Sequence, residues 1–216
     1  MKLSSYWRSS SAWRVRIGLE HKGIAHELVL VHLLRGGGEQ NLPGFAEKNP
    51  MAQVPVLEVA GPNGAFRLTQ SMAILEYLDE VVPEPPLLPA NPELRARARE
   101  LAEIVNSGIQ PLQNLRFLRE VKAVGGDPYP ATRSYITTGL VALERHAVES
   151  AGTYLIGDDV SIADAYLVPQ LYAARRFGVD LEPYPTLLRV EKACEALPSF
   201  QRAHANAQPD FDPDAK

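Results

Sequence analysis

Four consecutive residues, Arg8-Ser9-Ser10-Ser11, lie just after a short β-prone run and just before a run with helical spacing. A helix N-terminus presents free N–H groups and the positive end of the helix dipole, so it favours an anion. Hydroxyls placed there donate to a thiolate and lower a thiol's pKa, as positive surroundings do for cysteine. A serine there also serves as a helix cap, and both roles fit if different serines take them. Two further pairs stand at element starts. Val54-Pro55 opens a β-prone run, where proline's missing N–H is tolerated, and a cis bond would turn the Val54 backbone towards a peptide ligand. Gln70-Ser71 directly precedes a helical pattern, where Ser71 is either a plain N-cap or, with Gln70, the grip for a carboxylate.

Short β-prone and helical runs alternate up to about residue 82 and would position these residues. Residues 3–6, 27–32, 54–59 and 65–68 read as strands and 12–21 as a helix, with Gly23 as its stop. Gly-Pro-Asn-Gly at 61–64 is a turn signal that makes the last two strands a hairpin. A helix begins at Ser71 and carries Ile74, Leu75 and Leu78 on one face. The order βαβ, loop, ββα implies one parallel and one antiparallel pairing, hence a mixed four-stranded sheet in an α/β domain. Five prolines between Pro83 and Pro92 forbid a continuous helix and mark a stiff linker.

The pattern beyond it is all-helical. Leu94, Ala98, Leu101, Val105, Gly108, Leu112 and Leu115 line one side of a long helix that Pro111 should kink or break. A second helix carries Ile136, Leu140, Leu143 and Ala147, set off by residues 125–130, and Ser161 with Asp164 forms a capping box for a third. The expected organisation is a first domain over 1–82, a linker over 83–92 and a helical domain over 93–216. The polar tail from Gln208 should fray.

Composition excludes several classes. The chain has 216 residues with 45% hydrophobic and 22% charged, ordinary for a folded globular protein rather than a disordered one. The net charge of −4 comes without a basic block or stripe, which argues against a nucleic-acid partner. Arg95, Arg97 and Arg99 alternate beside Glu93, Glu100 and Glu103 and read as a solvated helical face. No apolar run is long enough for a membrane span, and the N-terminus lacks a signal-peptide pattern. The five histidines are scattered, so no metal site is expected. One cysteine, Cys194, forms no internal disulfide, fits a reducing cytoplasmic setting and reads as a packing residue.

Five segments carry a family resemblance: Ser9-Ser10-Ser11-Ala12-Trp13-Arg14-Val15-Arg16-Ile17, Asn49-Pro50-Met51-Ala52-Gln53-Val54-Pro55, Gln70-Ser71-Met72-Ala73-Ile74, Gln110-Pro111-Leu112-Gln113-Asn114-Leu115, and Ala163-Asp164 through Val168-Pro169-Gln170. In order, and continuing to Asp180-Leu181 and Pro183-Tyr184-Pro185, they resemble the zeta-class glutathione transferases, also known as maleylacetoacetate isomerases. The resemblance implies a thioredoxin-like N-terminal domain, a helical glutathione-transferase C-terminal domain and a cytoplasmic homodimer. It implies glutathione as cofactor and a small diacid as substrate. Maleylacetoacetate would become fumarylacetoacetate, in tyrosine and phenylalanine catabolism, by thiolate addition, bond rotation and elimination. Ser9, Ser10 and Ser11 would surround the thiol, with either Ser9 or Ser10 stabilising the thiolate. Val54 would pair with the cysteinyl backbone, Gln70 and Ser71 would hold the γ-glutamyl carboxylate, and Gln40, Gln110 and Asn114 would complete the pocket. Arg8 and Arg176 would bind substrate carboxylates, a role suited to arginine's planar fork; the bland alternative for Arg176 is a surface ion pair beside Arg175.

The sequence departs from the family at the third position of the serine run, Ser11, where the family usually has cysteine. Glutathione-dependent maleylpyruvate isomerases share this departure, so that substrate stands as an alternative. A general conjugating transferase or α-haloacid dehalogenase is another, and a non-catalytic binding module of the same fold a third.

Overall fold

The computed structural model describes residues 1–61 and 64–214 and divides into two compact units: Met1–Leu87 with Leu197–Lys216, and Leu88–Ala196. In the first unit, strands β1 (Lys2–Ser5), β2 (Glu27–Leu30), β3 (Val56–Gly61) and β4 (Gly64–Thr69) form one sheet in the order β2-β1-β3-β4. β1 runs parallel to β2, with Ser5 opposite Leu30. β3 runs antiparallel to both β1 and β4, with Val56 opposite Ser4 on one side and Thr69 on the other. The mixed sheet and the 3–4 hairpin are as the alternation of runs implies; Pro62 and Asn63 of the turn tetrapeptide lie outside the described residues.

Helices α1 (Ser10–His21) and α3 (Ser71–Val81) pack on each other. Their apolar residues Val15, Leu19, Ile74 and Leu78 join Leu3 and Leu57 of the sheet in one fully buried cluster. Each such side chain contributes about 2 kcal/mol by leaving water. Gly18 allows this close approach, because a Cβ there would stand 2.4 Å from Leu75 Cδ2. Lys22, at the end of α1, is buried and donates to the carbonyls of Val82 (2.6 Å) and Pro85 (2.8 Å) while pairing with Asp79 at 2.7 Å. That tie, with Leu87 N–H donating to Asp79, fastens the first half of the proline-rich stretch to α3.

The C-terminal segment differs from expectation. Residues 197–214 do not continue the helical unit. The short α9 (Pro198–Ala203) packs on α1, and buried Arg16 of α1 donates to the Ala203 carbonyl at 3.1 Å. Nor does the tail fray at its start: Gln208 is buried and its amide donates to the Arg202 and His204 carbonyls, both at 2.9 Å.

The second unit is helical throughout: α4 (Pro92–Glu103), α5 (Leu115–Ala123), α6 (Pro128–Ser150), α7 (Ile162–Arg176) and α8 (Pro185–Glu195). α4 gives way to a π-helical turn at Ile104–Ile109 and a 3-10 turn at Gln110–Gln113, so the chain breaks where Pro111 removes a donor. Gly139 of α6 lets Ile109 nest against it, since a Cβ there would meet Ile109 Cδ1 at 2.3 Å. The capping box of α7 is present. Asp164 accepts from Ser161 N–H (2.8 Å) and Oγ (2.9 Å), and Ser161 Oγ accepts from Ala163 N–H. The short α2 (Pro43–Ala46), in the first unit, was not foreseen from periodicity.

Candidate active site

The register of the sheet gathers the first unit's candidate residues. β1, β2 and β4 all finish, and β3 begins, at the same end of the sheet. That end therefore receives the run Arg8 to Ser11 after β1, the loop carrying Gln40 after β2, Val54 before β3, and Gln70-Ser71 after β4. It also receives the N-termini of α1 and α3, two partial positive charges on one edge.

At the α1 terminus the serines divide their work. Ser9 is the N-cap, its Oγ accepting from Ala12 N–H at 3.2 Å, and its own N–H donates to the Tyr6 carbonyl at 3.0 Å. Ser10 and Ser11 open the helix and are half-buried. The first N–H groups of a helix have no intrahelical partner, so those of Ser10 and Ser11 lie at its open end. The cap reading therefore holds for Ser9, and a donor role is left to Ser10 and Ser11.

Val54-Pro55 is cis. Val54 precedes the first paired residue of β3, Val56, so its backbone lies off the end of the ladder. Gln70 has φ +69°, in the left-handed region, and its exposed side chain does not cap α3. A glutamine held there is a strained backbone of the kind found at binding sites. Ser71 is buried at the first position of α3, where its Oγ accepts from Arg14 Nη1 at 3.3 Å. Gln40 is buried, with Nε2 donating to the Leu33 carbonyl at 3.4 Å, while Oε1 has no partner among the described residues. Its loop is drawn back to His32: Glu39 Oε2 accepts from His32 N–H, and Glu39 N–H donates to the His32 carbonyl. The His32 ring stands edge-on to Tyr6, 5.2 Å away. Burial holds the Tyr6 phenol above its ordinary pKa, keeping it protonated.

Arg8 is partly buried, with its guanidinium 5.1 Å over the Trp7 ring. In the second unit, the two adjacent arginines have different surroundings. Arg175 makes a bidentate pair with buried Glu191, at 2.6 and 2.5 Å, whereas the exposed Arg176 lies over the Phe177 ring at 4.9 Å. Arg175 is thus held in an ion pair of its own with α8. Gln110 Oε1 accepts from Gln113 Nε2 at 3.1 Å, and Gln113 exchanges two hydrogen bonds with Gln170 of α7. Asn114 caps α5, its Oδ1 accepting from Arg116 N–H, which leaves the amide nitrogen as a donor.

Sequence reasoning missed several supporting residues: Arg14 on Ser71, Gln113 and Gln170 on Gln110, and Arg16 behind the serine turn. Arg14 and Arg16, which interrupt the apolar run from Ala12 to Leu19, were a signal available in the sequence, and both are fully buried. Cys194 is fully buried at the end of α8, its thiol pushed up by burial and by Asp164, in keeping with a packing role.

The glutathione S-transferase N-terminal domain family matches residues 8–81, and the glutathione S-transferase C-terminal domain family matches residues 140–198. The maleylacetoacetate isomerase of Rattus norvegicus is 47% identical over 208 residues, covering 96% of this chain and 94% of the relative. A crystal structure of the maleylacetoacetate isomerase from Anaeromyxobacter dehalogenans 2CP-1, with glutathione bound in its active site, superimposes with a TM-score of 0.89 at 55% identity, covering 97% of this chain and 96% of that one. A maleylpyruvate isomerase described as a bacterial zeta-class glutathione transferase does so at 0.92 and 41%, covering 98% and 100%. With relatives this similar over nearly its whole length, the chain belongs to the zeta-class glutathione transferase and maleylacetoacetate isomerase family.

Proposed function

We propose that this chain is a glutathione-dependent cis–trans isomerase that converts maleylacetoacetate to fumarylacetoacetate in the breakdown of tyrosine and phenylalanine. The observation that carries this reading is the gathering of the serine turn, Val54-Pro55 and Gln70-Ser71 at one end of the sheet, in a chain so similar to known isomerases.

The residues present fit glutathione. Buried Gln40 Oε1, without a partner among the described residues, is an acceptor awaiting an N–H. The α3 N-terminus with Gln70 and Ser71 suits a carboxylate. The Val54 backbone beyond the ladder suits an extended peptide. Bound glutathione supplies a thiolate that adds to the cis double bond conjugated to a ketone, making it a rotatable single bond, and then leaves. The chain's own residues prepare and steady this chemistry. Ser10 and Ser11 donate hydroxyl and backbone N–H bonds at the α1 terminus and favour the ionised sulfur. Arg8 and Arg176 anchor the carboxylates of the diacid and offset charge that develops on its oxygen. Family resemblance adds Gln110 and Asn114 to the glutathione-binding residues. Ser11 in place of the family cysteine removes no group that the reaction uses, because the reacting sulfur is the cofactor's.

That same serine supports a second reading, maleylpyruvate as substrate, since maleylpyruvate isomerases also lack the cysteine. Family resemblance further supports a cytoplasmic homodimer; among the described residues no helix is long and apolar enough to cross a membrane. Comparing kcat/KM for maleylacetone and maleylpyruvate, with products identified by NMR, tests the assignment. A clear preference for maleylacetone supports it, and the reverse preference moves the enzyme to the second reading. Conjugation of chloronitrobenzene without isomerisation of either diacid would make it a general transferase instead.

A further inference from the structure

The far end of the chain reaches the turn that carries the serines. Gln208 fastens the tail to α9, and two residues later Asp210 Oδ2 accepts from Trp7 N–H at 2.9 Å, bridging 203 positions of sequence. Phe211 stands edge-on to the Trp7 indole, ring centres 5.1 Å apart. The carbonyl side of the same turn is held by buried Arg16, whose Nη2 donates to Trp7 O at 2.9 Å and Nη1 to Tyr6 O at 3.2 Å. The backbone of Trp7 is thus gripped on its N–H by a carboxylate and on its C=O by a guanidinium, both charge-assisted bonds. Tyr6 O also accepts from Ser9 N–H, so the direction in which the chain enters α1 depends on this grip. The other oxygen of Asp210, Oδ1, is buried without a partner among the described residues. A half-satisfied carboxylate is costly as a mere fastener.

We propose that Asp210 is a positioning residue for the reaction: through the Trp7 N–H it fixes the turn that presents Ser10 and Ser11, and so sets how well their donors stabilise the cofactor's sulfur. The inference rests on the glutathione-dependent reading above and adds to it a residue from the opposite end of the chain.

The test is titration of glutathione bound to the full-length protein, followed by the ultraviolet absorbance of the thiolate, alongside kcat and KM for maleylacetone and the melting temperature. In Asp210→Ala the thiol is expected to titrate at higher pH than in the wild type and kcat to fall about tenfold, as misplacement of catalytic donors does, with the KM for glutathione changed less than about threefold. Asp210→Asn, which still offers an oxygen to Trp7 N–H, is expected to restore most of both. A lowered melting temperature with an unmoved titration and kcat would make Asp210 purely structural and overturn the proposal. If Asp210→Ala does not fold, Phe211→Ala loosens the same tail and is expected to shift the titration in the same direction by less; no shift in it overturns the proposal equally. A wild type that leaves the thiol of glutathione as in water would instead overturn the glutathione reading itself.

Discussion

At the residue scale, the serine run was legible because its chemistry is local: hydroxyls between a strand and a helix can do little but cap the helix or serve a ligand at its end. Which serine does which became visible only with the Ser9–Ala12 bond. Ser9→Ala is therefore expected to cost about 1 kcal/mol of stability, as loss of a cap does. The double variant Ser10→Ala with Ser11→Ala is expected to lower kcat by about tenfold or more, while calorimetry finds glutathione affinity within about threefold, the contact being made chiefly to the ionised sulfur. The two arginines separate in the same way. Arg176→Ala is expected to raise the KM for the diacid about tenfold, the loss of one charged hydrogen bond. Arg175→Ala should leave that KM alone and lower stability, because it strands buried Glu191. Gln40 was not legible from spacing and came only with the resemblance, since nothing near it in sequence announces a buried amide.

At the element scale, periodicity found β1 to β4, α1, α3, α4, α6 and α7 within a few residues, whereas α5, which buries no residue, was not told apart from the run before it. Proline placed the break at Pro111, although the π-helical turn before it depends on Ile109 nesting at Gly139, a contact between separate helices. The capping box at Ser161 and Asp164 was read correctly from type and spacing. Its burial was not, and burial changes its response to pH. Desolvation pushes Asp164 up from 3.8 to about 6, against the pull of bonds from Leu155 and Ser161. The fold thus favours the protonated carboxyl: its contribution is whole below about pH 4 and is lost as pH rises through about 6. Relative to Asp164→Asn, which does not titrate, wild-type stability is expected to fall by about 3 kcal/mol between pH 4 and 7, measured by denaturant unfolding.

At the scale of the whole molecule, the proline-rich stretch marked a change of unit, but the return of residues 197–214 to the first unit was invisible in the sequence. A six-residue helix has no period to read, and its anchors, Arg16 to Ala203 and Trp7 to Asp210, span 187 and 203 positions. A discontinuous unit of this kind should not stand alone. A fragment of residues 1–87 is expected to lack a cooperative unfolding transition by calorimetry, whereas the whole chain unfolds cooperatively, because the fragment leaves buried Arg16 without one of its acceptors and α1 without α9. The most direct test of the function itself is the isomerisation of maleylacetone by the purified protein with and without glutathione, followed by ultraviolet absorbance, with the glutathione recovered and weighed at the end. The account predicts trans product formed only when glutathione is present, and glutathione recovered unchanged after many turnovers. Turnover without glutathione, or its consumption into a stable adduct in proportion to product, would contradict it.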